Sequence, residues 1–180
     1  MLKKLGVQKG LKNISIDADS HIIYKKTNFS LVVLRPTDLA QMGDLIGQGN
    51  KDIITWIGKT VGRNVAEVVY KDEAPKTNAE LLEKSFKTLE MLGFGILNLL
   101  NYQEDAGFQV KVESPLYESL EENQEIISNI YLGIFLGILE YVGRKANGVE
   151  IESAWKNRSI NYSAFEMKIE GVGTQGNRLS

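Results

Sequence analysis

The sequence predicts an α+β fold with an antiparallel sheet, and three observations carry that reading. Strand-like and helix-like segments come in the order strands, three helices, a strand, a helix, two strands, grouped and not strictly alternating, which argues against a parallel βαβ design. The helix-like segments carry stripes of apolar residues at three- and four-residue steps, the period of helices with one buried face. The stretch Ile130–Val142 is apolar nearly all round, with Gly133 and Gly137 four apart. It reads as a helix buried inside the domain, with a second backbone close to its glycine face.

In chain order, residues 1–12 carry four lysines and read as a loose lead-in. Ile14–Ile16, His21–Tyr24 and Phe29–Leu34 read as strands of a small meander, with a polar turn at Asp17–Ser20 and a linker at Lys25–Asn28. Pro36, Thr37 and Asp38 form a helix start, and that helix is expected to turn Leu39, Met42, Leu45 and Ile46 inward. Gly47–Gly49 stops it, and Asn50 can cap the next helix. There Ile54, Ile57, Val61, Val65 and Val68 form the apolar stripe, with Gly58 and Gly62 inside it. Each of those glycines costs roughly 1 kcal/mol against alanine, so the pair implies close packing. Thr77 to Glu80 matches a capping box. The stripe Leu82, Phe86, Leu89, Gly93, Ile96, Leu100 predicts one long helix broken by Gln103–Gly107. Phe108–Glu113 alternates as a strand that Ser114 and Pro115 end. The acidic run Glu118–Glu125 leads into the apolar helix, Asn147 and Gly148 read as a turn, and Val149–Glu152 and Ser163–Ile169 read as closing strands. One domain is expected over residues 13–170, with a frayed glycine-rich tail over 171–180.

Composition narrows the function. At 180 residues, 43% hydrophobic and 24% charged, the chain can bury a real core. A net charge of −2 gives no general pull toward nucleic acid or anionic membrane. There is no cysteine, which removes thiol nucleophiles, disulfides and thiolate metal sites, and the single histidine, His21, removes histidine-rich ones. No secretion signal is legible at the start, no stretch reads as a membrane span, and a cytoplasmic protein is expected.

The ordered set Gly133, Gly137, Glu140, Gly148, Glu152 and Phe165, with Ser114–Pro115 and the pair Gly58/Gly62 upstream, resembles the 4-vinyl reductase-type domain, a small-molecule (hydrocarbon) binding domain. That family is related to the small subunits of the vesicle-tethering transport particle and, more distantly, to haem-nitric-oxide sensor domains. The resemblance covers about residues 29–170 and implies a twisted antiparallel sheet against a layer of four or so helices, often as a homodimer. It also implies binding of small hydrophobic or aromatic ligands. Trp155 stands at the family's first cysteine position, Ser159 at a glycine and Ser163 at the second cysteine, so covalent acylation or metal binding through those cysteines has no counterpart here. His21 lies in an expected strand or turn, not on a helix where an axial haem ligand belongs.

Other motifs resolve to structure. Asp17 and Asp19 lack the setting of an aspartate nucleophile and read as a β-turn, and Gly47–Gly49 fits neither the Walker nor the dinucleotide spacing. No acid/base constellation is legible, so no catalytic residue, metal ligand or cofactor is expected, and the chain reads as a non-enzyme. The aromatic set Phe86, Phe94, Tyr131, Phe135, Tyr141 and Trp155 is the ligand-site candidate, because apolar pockets need aromatic walls with a few polar tips. Of these, Phe86, Phe94, Tyr131, Phe135 and Trp155 are the expected ligand contacts. The expectation is a homodimeric module for a small hydrophobic ligand, without nucleic-acid binding or membrane insertion. The alternative is an assembly subunit with a vestigial pocket, whose Gly58/Gly62 face recruits partners.

Overall fold

The computed structural model describes residues 14–25, 29–46, 51–116, 120 and 122–171. The expected lead-in over 1–12, the Gly47–Gly49 turn, the Asn50 cap, residues 26–28 of the first linker, most of the acidic run before Glu122 and the tail from residue 172 lie outside the described residues.

The chain is an α+β fold. A three-stranded antiparallel sheet comes first: β1 (Ile14–Ile16), β2 (Ile22–Tyr24) and β3 (Phe29–Leu31), in that order. Three helices follow: α1 (Pro36–Ile46), α2 (Lys51–Glu73) and α3 (Asn78–Met91). Then come β4 (Ile96–Gln103), β5 (Gly107–Glu113), helix α4 (Gln124–Tyr141), β6 (Ala146–Glu152) and β7 (Tyr162–Ile169). The last four strands form one antiparallel sheet in the order β4-β5-β7-β6. Its inner face is apolar at alternate positions, with Leu97, Phe108, Val110, Val112, Phe165 and Met167 buried. Helices α3 and α4 cover that face.

Helix α4 is the centre of the core. Ile127, Ile134, Phe135 and Ile138 are almost wholly buried, and Leu132 and Leu136, four apart, mark the one partly exposed side of its middle turns. Its Gly133 and Gly137 lie against Gly58 and Gly62 of α2. A Cβ on Gly62 would fall on the Ile134 carbonyl oxygen and sit 2.9 Å from the carbonyl carbon, and one on Gly58 would sit 2.9 Å from the Gly133 Cα. The two backbones touch, and any side chain there would push them apart. At one end of this seam Lys59 of α2 pairs with Glu140 of α4 at 2.5 Å. The Gly58/Gly62 face is therefore consumed inside the chain and is not free for the partner-recruiting role expected of it.

Four other expectations are corrected. The stripe from Leu82 to Leu100 is not one helix: α3 ends at Met91, and Gly93 (φ 92°) and Gly95 (φ 88°) turn the chain into β4. Residues at 93, 96 and 100 satisfy a helical period by coincidence. Leu97 and Leu99, opposite Val112 and Val110, are the inward pair, and Leu100 is partly exposed. On α1, Leu39 and Ile46 pack against the core, but Met42 and Leu45 are exposed, at 44% and 89%. The buried positions are Ala40 and Gly43, whose small size lets α1 approach Ile126 of α4. Asn147 and Gly148 are not a turn: they lie in β6, where Gly148 opposite Met167 leaves room for that thioether. The reversal is made earlier, after Gly143 (φ 74°). Finally, β3 ends at Leu31, and Val32, Val33 and Leu34 are exposed. The Thr77 cap holds, with the Glu80 N–H donating to Thr77 Oγ1 at 3.1 Å, while the Glu80 carboxylate accepts from the Lys76 N–H, one residue before the cap, at 2.8 Å.

Candidate functional site

Helix α4 presents Ser128, Tyr131 and Phe135 at three- and four-residue steps, which places them on one face. That face meets Phe86 of α3 and the inner face of the sheet, and a continuous aromatic layer results. Phe135 lies 5.7 Å from Phe86 and 5.4 Å from Phe165, both edge-on, and 6.2 Å from Tyr131. Tyr131 lies 5.8 Å from Phe165 and 6.2 Å from Phe94. Phe108 joins through Phe86 at 6.2 Å. These are contact distances, each pair worth about 0.5–1.5 kcal/mol beyond its burial. Of the expected ligand residues, Phe86, Phe94, Tyr131 and Phe135 thus share one layer. Phe108 and Phe165 belong to it too and were missed. Their inward alternation on β5 and β7 was the available signal.

The Tyr131 hydroxyl is the layer's polar tip at one edge. It donates to the Phe94 carbonyl at 2.7 Å and accepts from the Leu116 N–H at 3.0 Å, tying the β4 entry to the segment after β5.

A second polar group sits beside Phe165. Glu150 of β6 is in register with Phe165 of β7, so both point toward the helices. Its carboxylate accepts from Ser128 Oγ at 2.9 Å, Ser163 Oγ at 3.0 Å and the Trp155 indole N–H at 3.2 Å. Ser163 in turn accepts from the Ala154 N–H at 3.1 Å. Three donors from α4, β7 and the β6–β7 connection are therefore gathered on one carboxylate, as a partly buried charge requires. Trp155 packs at the edge of the core and reaches the site through this bond, with Lys156 4.9 Å above its ring. Nearby Ser153 is buried and its hydroxyl has no hydrogen-bond partner among the described residues; the same holds for Ser85 of α3. Sequence reasoning singled out Glu152, which faces the other way and bonds Tyr162, raising that phenol above its ordinary value. The acidic residue that faces the layer is Glu150, and strand alternation from Phe165 could have found it.

The remaining polar motif is a turn. Asp17 accepts from the Asp19 and His21 N–H groups at 3.0 and 2.8 Å and meets the His21 ring at 3.2 Å, so its carboxyl is held below the usual range chiefly by the His21 backbone bond. Tyr141 lies away from the layer, paired with Tyr70 at 6.0 Å.

No protein-family model matches the chain, and no curated protein matches it in sequence. Solved structures do match in fold. The phenol-responsive sensory domain of the transcription activator PoxR, solved with phenol, aligns with a TM-score of 0.68 at 11% identity, covering 92% of this chain and 89% of that one. A trafficking protein particle complex subunit 3 from Naegleria fowleri, covalently bound to palmitic acid, aligns with a TM-score of 0.55 at 14% identity, covering 75% and 94%. A vinyl-4-reductase family protein from Methanocaldococcus jannaschii aligns with a TM-score of 0.53 at 18% identity, covering 78% and 84%. The resemblance read from the sequence is thus found again in the fold. No described helix is long and apolar enough to cross a membrane.

Proposed function

We propose that the protein is a non-enzymatic binding module for a small hydrophobic ligand carrying one hydrogen-bond donor. The observation that carries this reading is the placement of Glu150, a carboxylate with three donors, at the edge of a buried six-ring aromatic layer. Apolar walls with few convergent polar groups are the pattern of small-molecule sites. The rings fill the layer at contact distance, so a ligand enters by exchange: a rim group such as Trp155 swings out, and a ligand donor takes its place on Glu150. The fold shared with a phenol-responsive sensory domain supports a sensor or accessory role.

Thermal shift with phenol, indole and toluene tests this. Phenol and indole are expected to raise Tm more than toluene, and Glu150→Gln to erase the difference. The reading fails if none of the three stabilises the protein and native mass spectrometry of freshly purified material shows no small-molecule adduct.

A second reading, self-association or assembly, rests on a separate observation. Met42, Leu45, Ile53 and Trp56 on α1 and the first turns of α2 are exposed large apolar groups, Leu45 at 89% and Trp56 at 60%. A homodimer covering them is the proposed form. Light scattering decides it, and a monomer at every concentration tested rejects it.

A further inference from the structure

At the C-terminal end of α4 lies a surface groove of ≈ 610 Å³, within the size range of small-molecule sites. It is about 20 Å along α4 from Ser128, at 1.5 Å per residue, and shares no residue with the aromatic layer. Tyr70 at the end of α2 and Tyr141 of α4 form one wall, their rings 6.0 Å apart and tilted by 59°. Tyr70 is 54% exposed, so part of its ring is open to a ligand. Leu81 and Val142 are its apolar lining, and they are shared, with Asn78 and Glu104, by a second void of ≈ 10 Å³ that Leu82, Ile138, Leu139 and Arg144 also line. That void holds no more than one small group. Across from the tyrosines run Lys76, Thr77 and Asn78, with Glu104 beside them.

The polar groups of the lining differ in what they have left to offer. The Thr77 oxygen accepts from the Glu80 N–H, and its O–H remains a donor. Asn78 donates to Glu104 Oε1 at 3.2 Å, which leaves the other carboxylate oxygen. The Lys76 ammonium makes no hydrogen bond or ion pair among the described residues, although its charge acts on Glu80, whose carboxylate accepts from the Lys76 backbone N–H at 2.8 Å. One cation and one anion therefore flank an aromatic wall and an apolar lining, each with capacity to spare.

We propose that this groove is a binding site for a small aromatic zwitterion, of which an aromatic amino acid is the simplest example. The ligand ring stacks on Tyr70 and Tyr141 with its edge toward Leu81 and Val142. Its carboxylate meets Lys76 and its ammonium meets Glu104. Both charges are exposed, so binding is weak, and each pair contributes no more than about fivefold in affinity. Stacking on the tyrosines contributes about tenfold.

The test is a titration of the ¹⁵N-labelled full chain with L-phenylalanine, 3-phenylpropanoate and phenethylamine, followed by amide shifts. L-Phenylalanine is expected to give saturable shifts confined to Tyr70, Lys76, Leu81, Glu104 and Val142. Each single-charge analogue should bind about threefold to fivefold more weakly. Lys76→Met should abolish the preference over phenethylamine, Glu104→Gln the preference over 3-phenylpropanoate, and Tyr70→Ala should weaken all three ligands about tenfold. An unchanged Tm shows that these surface variants remain folded. Absence of saturable shifts, or equal affinity for all three ligands, overturns the proposal. Shifts confined to Glu150 and Phe165 also overturn it while leaving the interior ligand site standing.

Discussion

Replacing Gly62 by alanine tests the seam on which α4 is mounted. The added Cβ would land on the Ile134 carbonyl oxygen, 2.9 Å from the carbonyl carbon and 3.0 Å from the Cα. All three atoms are backbone inside a buried helix, so no side chain can swing aside and the helices must separate. A gap of roughly 1 Å forfeits a quarter to a half of each dispersion contact along the seam. The seam brings Ile130, Gly133 and Ile134 of α4 against Thr55, Gly58, Lys59 and Gly62 of α2. Overpacking of this kind costs about 3 kcal/mol, set against about 1 kcal/mol gained from alanine's helix propensity. The expected net loss is roughly 2 kcal/mol, a fall in Tm of about 4–8 °C for a chain of this size. Circular dichroism melts measure it. Gly93→Ala is the control: there a Cβ meets nothing within 4 Å, and the cost is only the strain of φ 92°, about 1–2 kcal/mol. If Gly62→Ala melts at or above the wild-type temperature, propensity has won and the close approach of α2 and α4 is refuted.

Three further outcomes are expected. Tyr131→Phe leaves the Phe94 carbonyl and the Leu116 N–H without the hydroxyl that joins them, and should lower stability by about 1–3 kcal/mol in urea titrations at unchanged slope. Thr77→Ala removes the α3 cap and should cost about 1 kcal/mol by the same assay. In acid, Asp38 and Glu80 are held below their ordinary values of 3.8 and 4.5 by the side chains of Arg35 and Lys84. A depressed carboxylate contributes stability that is fully present above its unfolded value and is lost as pH falls through its folded value. Tm should therefore hold steady down to about pH 4.5 and fall below it, and Glu80→Gln should flatten part of that fall.

Much of the architecture was legible because its signals are local. The β5 alternation, the Thr77 cap and the apolar Ile130–Val142 helix each announce themselves within a dozen residues. The failures came where two periods overlap or where a small residue does the packing. Gly93, Ile96 and Leu100 fit a helix, and only the two positive-φ glycines and the pairing with β5 make the segment a strand. On α1 the large residues Met42 and Leu45 suggested the inner face, whereas Ala40 and Gly43 occupy it because α4 is close. The site followed the same rule. Four of its aromatics were visible at helical spacing, but Glu150 and Ser128 are 22 residues apart and meet only through the sheet.

On the proposed function, helix α4 has two tasks that its faces keep separate. Its glycine face has no freedom, because backbone lies against backbone along α2 and Lys59 closes the end on Glu140. Its sheet face carries Ser128, Tyr131 and Phe135, held by ring contacts and hydrogen bonds. On that proposal, rigidity on one side is what would make exchange on the other specific: if α4 could shift as a whole, a ligand would be met by a moving helix and not by a ring turning against a fixed one. The model of function therefore requires the two faces to be separable energetically. A Gly62→Ala protein that still folds should bind phenol more weakly through displacement of α4. Trp155→Phe takes one donor from Glu150, so it should lower stability by about 1–3 kcal/mol yet keep phenol binding, because the ligand hydroxyl replaces that donor. Loss of phenol binding in both would show that the layer is ordinary core.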